Sequence, residues 1–168
     1  MQKSNIRIVT IVAIAFCFLG LFSCQEKVEY PIVPYIEFQD FSFLMNQDSV
    51  VERGLITIYF TDGDGDIGLN TEDSLAPYDY NLFIDYYELQ NGTWDVVVNE
   101  LTGDTIKFHG RIPLITPTGQ NKNIKGTIED TLFLNVFSEY DTFRYEISLR
   151  DRALHESNTI ISPIFVMP

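Results

Sequence analysis

The sequence predicts an all-β chain folded as an antiparallel β-sandwich, on three observations. Apolar residues recur at every second position in several stretches, the period of a strand with one face buried. Aromatic residues are abundant, 13 Phe and 9 Tyr, and such side chains suit a pleated, half-buried surface. Beyond an apolar N-terminal run, no stretch sustains the 3.6-residue period of an amphipathic helix. A length of 168 residues suits one domain with appendages.

Lys3 and Arg7 form a basic start, and residues 8–22 are apolar except for Thr10 and Gly20. About 15 apolar residues fall short of the roughly 20 that a spanning helix needs, and suit the core of a signal peptide. The run ends Leu21-Phe22-Ser23-Cys24, which resembles the lipobox of bacterial lipoproteins, with Phe22 bulkier than the usual residue at its position. That resemblance implies cleavage before Cys24, lipid on the Cys24 sulfur and attachment to the membrane through that lipid. The alternative is an ordinary signal peptide or anchor that happens to contain a cysteine. On the lipoprotein reading Cys17 leaves with residues 1–23, Cys24 carries lipid, and no cysteine remains for a structural disulfide. Residues 24–34 then form a lipidated tether, stiffened by Pro31 and Pro34, and residues 35–168 the domain. Glu26 and Glu29 resemble the surface-export signals of Bacteroidota lipoproteins, so the expected location is the outer membrane, at its periplasmic face or the cell surface.

Strands are expected at 35–43, 49–61, 81–89, 94–99, 106–115, 127–137, 143–150 and 159–166. Asn46-Gln47-Asp48 reads as a turn, and Gln90-Asn91-Gly92 as a hairpin. Residues 81–89 are apolar on both faces, as in a central strand, and Trp94, Val96 and Val98 share a face in the next. The strand at 106–115 is the weakest because Pro113 interrupts it. The one at 143–150 is the clearest: Phe143, Tyr145, Ile147 and Leu149 face inward, while Arg144, Glu146, Ser148 and Arg150 face water. This succession indicates an immunoglobulin- or fibronectin-III-like sandwich.

The sharpest chemistry lies where the strand at 49–61 runs into Asp62-Gly63-Asp64-Gly65-Asp66. The glycines permit positive φ, so the chain can curl and gather the three acids. In a Greek-key sandwich this loop and the one after residue 150 lie at the same end. Asp62, Asp64 and Asp66 are then expected near Asp151 and Asn158, an oxygen set suited to a hard cation such as Ca²⁺. The competing reading is an ordinary solvated turn, its charge offset by Arg150 or Arg152. The spacing matches the first half of an EF-hand loop, but Ile67 stands where that loop needs glycine and Asp73 where it needs glutamate.

Other classes find little support. Removing Lys3 and Arg7 leaves 9 basic residues against 24 acidic, a net charge of −15, and no basic stripe, which excludes a nucleic-acid binder. His109 and His155 are the only histidines, and no hydrolase or phosphate-binding motif is present, so no enzyme activity is expected. Tyr78, Tyr80, Phe83, Tyr86, Tyr87 and Trp94 either fill the core or offer a platform for a glycan or protein. Four Asp-Ser/Thr-aliphatic triplets, beginning at Asp48, Asp73, Asp104 and Asp130, resemble a Bacteroidota O-glycosylation signal. The stretch 151–158 resembles the loop before the last strand of many bacterial immunoglobulin-like modules. With the acidic turn and the lipobox, it makes the chain similar to a group of Bacteroidota lipoproteins with an immunoglobulin-like domain. That resemblance implies a non-catalytic binding or structural module, or an accessory subunit of an outer-membrane complex. The alternative is a carbohydrate-binding module stiffened by Ca²⁺.

Overall fold

The computed structural model describes residues 28–99, 102–115, 117 and 122–168. Eight strands follow one another: β1 (Tyr35–Met45), β2 (Val51–Asp62), β3 (Leu82–Gln90), β4 (Thr93–Val96), β5 (Ile124–Phe133), β6 (Thr142–Leu149), β7 (Ile160–Ile161) and β8 (Phe165–Val166). They form two antiparallel sheets, β1-β2-β5 and β4-β3-β6-β7 with β8 also on β6, packed face to face as a β-sandwich. No helix occurs among the described residues.

The core follows from strand alternation. Ile56, Ile58 and Phe60 of β2 meet Ile84 and Tyr86 of β3 and all four predicted inward residues of β6. An aromatic cluster fills the interior, with Phe41 stacked on Phe165 at 4.3 Å and edge-on to Phe43 at 5.3 Å. Gly54 lies opposite Phe43 on β2, and a Cβ there would collide with the Phe41 ring. Gly54→Ala is therefore expected to cost about 1–3 kcal/mol by overpacking, read from urea unfolding. A loss below about 0.5 kcal/mol would mean that the ring moves aside freely.

Two registers fix the ends of the sandwich. Tyr35 pairs with Thr61 and Ile124 with Asp62, so the start of β1 and of β5 lie beside the acidic turn. Leu82 pairs with Leu149, and Glu88 with Phe143 at the other end.

Several strand boundaries differ from those read in the sequence. Residues 106–115 form isolated bridges, Lys107 to Asp85 and Gly110 to Leu82, rather than a continuous strand. Pro113 removes one donor, and the Arg111 guanidinium donates to the carbonyls of Tyr78, Asp79 and Asn70 at 2.6, 2.8 and 3.0 Å, holding the segment to the long loop. β5 begins at Ile124 and stops at Phe133; beyond it the chain turns and Leu134 donates to the Glu52 carbonyl. The last expected strand splits at Pro163. Before the break, buried Ser162 donates its N–H to the Tyr145 carbonyl, and its Oγ accepts the Tyr145 N–H, at 2.9 Å each. At the end of β4, Val96 and Val98 share an exposed face as expected, and Val97 between them turns inward.

Candidate cation site at the acidic end

β2 delivers Asp62, fully buried, to the end of the sandwich. Its Oδ2 accepts the Asp66 N–H at 2.9 Å, closing the glycine-rich loop on itself. Gly65 and Gly68 adopt positive φ, +69° and +104°, as the curl requires. Gly63 does not; its lack of a side chain serves close approach, since a Cβ there would strike the Tyr30 carbonyl. Ile67, fully buried in the core, pegs the loop from below.

The partner loop leaves β6. Asp151 is buried, and its Oδ1 accepts the His155 N–H while its Oδ2 meets His155 Nδ1, both at 2.8 Å. The two loops are laced together: Ala153 N–H donates to Asp66 Oδ2 at 3.1 Å and Arg152 N–H to the Asp66 carbonyl at 3.3 Å. Asp62, Asp64, Asp66 and Asp151 each offer an oxygen, and these oxygens all lie within 4.8 Å of one another. Asp62 Oδ1 and Asp66 Oδ1 are buried and have no hydrogen-bond partner. Such groups cost stability unless something satisfies them.

The electrostatics carry the same strain. Burial, then the charge of Asp64, pushes the Asp62 carboxyl up to about 6, although the Asp66 and Ile67 amides oppose the shift. Burial and then the charges of Asp151 and Asp64 raise Asp66, against the Ala153 amide and the Arg152 charge. The His155 imidazole is raised by its hydrogen bond to Asp151 and by that carboxylate's charge, burial opposing. The donors are carboxylate oxygens throughout. The cluster can therefore hold a metal ion, and its chemistry suits a hard one.

Not every expected neighbour joins. Asn158 instead clamps the start of β1, accepting the Ile36 N–H and donating to the Ile36 carbonyl at 2.9 Å each. Arg150 pairs with Glu156 at 2.7 Å and lies 4.7 Å over the Phe83 ring, so it does not neutralise the acids. Asp73 accepts two hydrogen bonds from Asn70 at 3.0 and 3.1 Å, a local cap. Cys24 lies outside the described residues.

The aromatic set divides. Tyr86 belongs to the core, whereas Phe83, Tyr87 and Trp94 are half-buried on the outer side of the sheet. Those outer rings already carry cations: Arg144 lies 4.6 Å from Trp94 and 5.8 Å from Tyr87, and Arg150 covers Phe83.

Sequence reasoning missed Glu88, which is buried at the opposite end. Its carboxylate accepts from Tyr86 Oη at 2.9 Å, Asn135 Nδ2 at 3.1 Å, Ser138 Oγ at 2.7 Å and Gln90 Nε2 at 3.4 Å. The available signal was its place on β3, in phase with inward Leu82, Ile84 and Tyr86. With its oxygens taken by protein donors, Glu88 secures the β5–β6 turn and leaves little for a ligand.

Compared with known proteins, the chain matches no family model, no curated protein and no solved structure.

Proposed function

We propose that this chain is a lipid-anchored, non-catalytic binding or structural module of the cell envelope, serving as an accessory subunit of an outer-membrane complex. We propose further that Ca²⁺ at the acidic end stiffens its loops. The observation that carries the cation reading is the pair of buried, unpartnered oxygens on Asp62 and Asp66 within a four-carboxylate cluster. Ca²⁺ takes six to eight oxygens at about 2.3–2.6 Å, so four carboxylates with carbonyls or water suffice. With its ligands drawn from both loops, the ion is a clamp more than a Lewis acid.

The anchor rests on the Leu21-Phe22-Ser23-Cys24 resemblance. The strand order, β1-β2-β5 against β4-β3-β6-β7, supports the immunoglobulin- or fibronectin-III-like expectation. The glycan-binding alternative has weaker support, because the outer aromatic rings are engaged by arginines.

The test is calorimetric titration of the signal-free chain, beginning at Gln25, with Ca²⁺. Asp64 is the exposed member of the cluster, so Asp64→Asn should fold normally. Wild-type binding is expected in the micromolar to millimolar range typical of Ca²⁺ sensors and extracellular modules. Asp64→Asn should bind at least about tenfold more weakly, the size of one lost charge–charge contact. Absence of wild-type binding would reduce the cluster to turn chemistry.

A further inference from the structure

The acidic loop is wedged against the chain that leads in from Cys24. Gly63 abuts the carbonyls of Tyr30 and Pro31, and on the far side Gly65 abuts the Lys122 carbonyl and the Pro117 ring. Between these flanks Asn123 acts as a substitute strand residue. Its Oδ1 accepts the Tyr30 N–H at 3.1 Å and its Nδ2 donates to the Val28 carbonyl at 3.2 Å. The segment entering the domain is thus docked before β1 begins, on the same loop that gathers the carboxylates. A side chain on Gly63 would displace it.

We infer that a cation at Asp62, Asp64, Asp66 and Asp151 holds the segment Val28–Pro34 docked on the sandwich, so that its occupancy sets the domain's reach from its lipid. This rests on the cation and anchor readings above. The second observation beside the acidic cluster is the fully buried Asp62, whose Oδ1 lacks a donor. Without a cation, repulsion among the carboxylates acts on the loop whose glycine faces Tyr30 and Pro31. With one, the loop is drawn together and that docking surface is fixed.

The chain from Cys24 to docked Val28 can span at most about 13–14 Å, because a residue extends at most about 3.3–3.6 Å. Undocked, the free chain runs to Tyr35 and reaches roughly 36–40 Å. Docking therefore keeps the acidic end beside the bilayer and turns the Glu88 end outward.

The experiment is hydrogen exchange on the full lipidated chain in phosphatidylethanolamine–phosphatidylglycerol vesicles, read at the Tyr30 amide with Ca²⁺ or chelator. Ca²⁺ is expected to slow that exchange at least about tenfold in wild type and to leave Asp64→Asn unchanged. Asn123→Ala keeps the carboxylates but removes both bonds to the segment, so its exchange should be fast with or without Ca²⁺. By linkage its Ca²⁺ affinity should fall by the factor by which Ca²⁺ protects Tyr30 in wild type. Calorimetric Ca²⁺ binding with unchanged Tyr30 exchange overturns this inference and leaves the cation site standing. Absence of binding overturns both. Undiminished affinity in Asn123→Ala breaks the reciprocity and overturns the docking role alone.

Discussion

Glu88→Ala is expected to destabilise the domain by about 3–5 kcal/mol, because several buried donors lose their charged acceptor together. The carboxylate gathers four donors, and three of them, Tyr86, Asn135 and Ser138, come within 3.1 Å. Hydrogen bonds to a charged group contribute about 1.5–3 kcal/mol each, and orphaned buried donors add a desolvation cost. Returning the carboxylate's own desolvation offsets part of the sum. Glu88→Gln should cost less, about 1–3 kcal/mol, because the Tyr86 and Ser138 hydroxyls can rotate to accept from the new amide. Urea unfolding gives both values, and hydrogen exchange should show the loss centred on residues 134–141. An alanine variant within about 1 kcal/mol of wild type would mean that the turn holds without its carboxylate.

The opposite sign is expected at Asp62. Its folded carboxyl titrates at about 6 against an ordinary 3.8, so between those values the folded protein holds a proton that the unfolded chain has released. The contribution of this group to stability therefore falls as pH rises from about 4 through 6, and at pH 7 the penalty is fully present. Two pH units correspond to about 2–3 kcal/mol. Asp62→Asn removes the charge but keeps an oxygen to accept the Asp66 N–H. In chelator at pH 7 the variant should be more stable than wild type by about 2 kcal/mol, with the difference shrinking towards pH 4. Comparing the two proteins at each pH cancels the titration of the other acids. A variant less stable than wild type across that range would show that Asp62 stabilises the loop through interactions other than a cation.

How far the sequence reveals this molecule depends on the range of the interactions involved. β6 is legible residue by residue because alternation is local, and one buried face follows directly from it. The segment 106–115 also alternates in places. Its conformation is decided by Pro113 and by Arg111 reaching carbonyls more than thirty residues away, which no local pattern reports. The acidic turn is legible because its three carboxylates and their glycines are adjacent, and Asp151 joins them through the shared end of two sheets. Its inner character is not legible. Nothing in Asp-Gly-Asp-Gly-Asp says that Asp62 is buried while Asp64 is exposed, since that depends on β2 running to Asp62 over the core. Asn123 was invisible for the same reason: its bonds reach back more than ninety residues to Val28 and Tyr30. Asn158, expected among the acids, bonds the backbone of Ile36 instead, a partner 122 residues away that no local pattern reports.

The most direct test of the acidic end as a cation site is a melting comparison of wild type and Asp62→Asn at pH 7, each in chelator and in Ca²⁺ at about a hundredfold excess over the Kd from titration. A ligand that binds only the folded state stabilises it by about 2.7 kcal/mol at a hundredfold excess over its Kd. The predicted pattern is a crossing. Wild type melts below the variant in chelator, rises by several degrees with Ca²⁺, and overtakes a variant that Ca²⁺ leaves where it was. Wild type melting above the variant in chelator, with neither protein moved by Ca²⁺, would contradict a cation site at the acidic end.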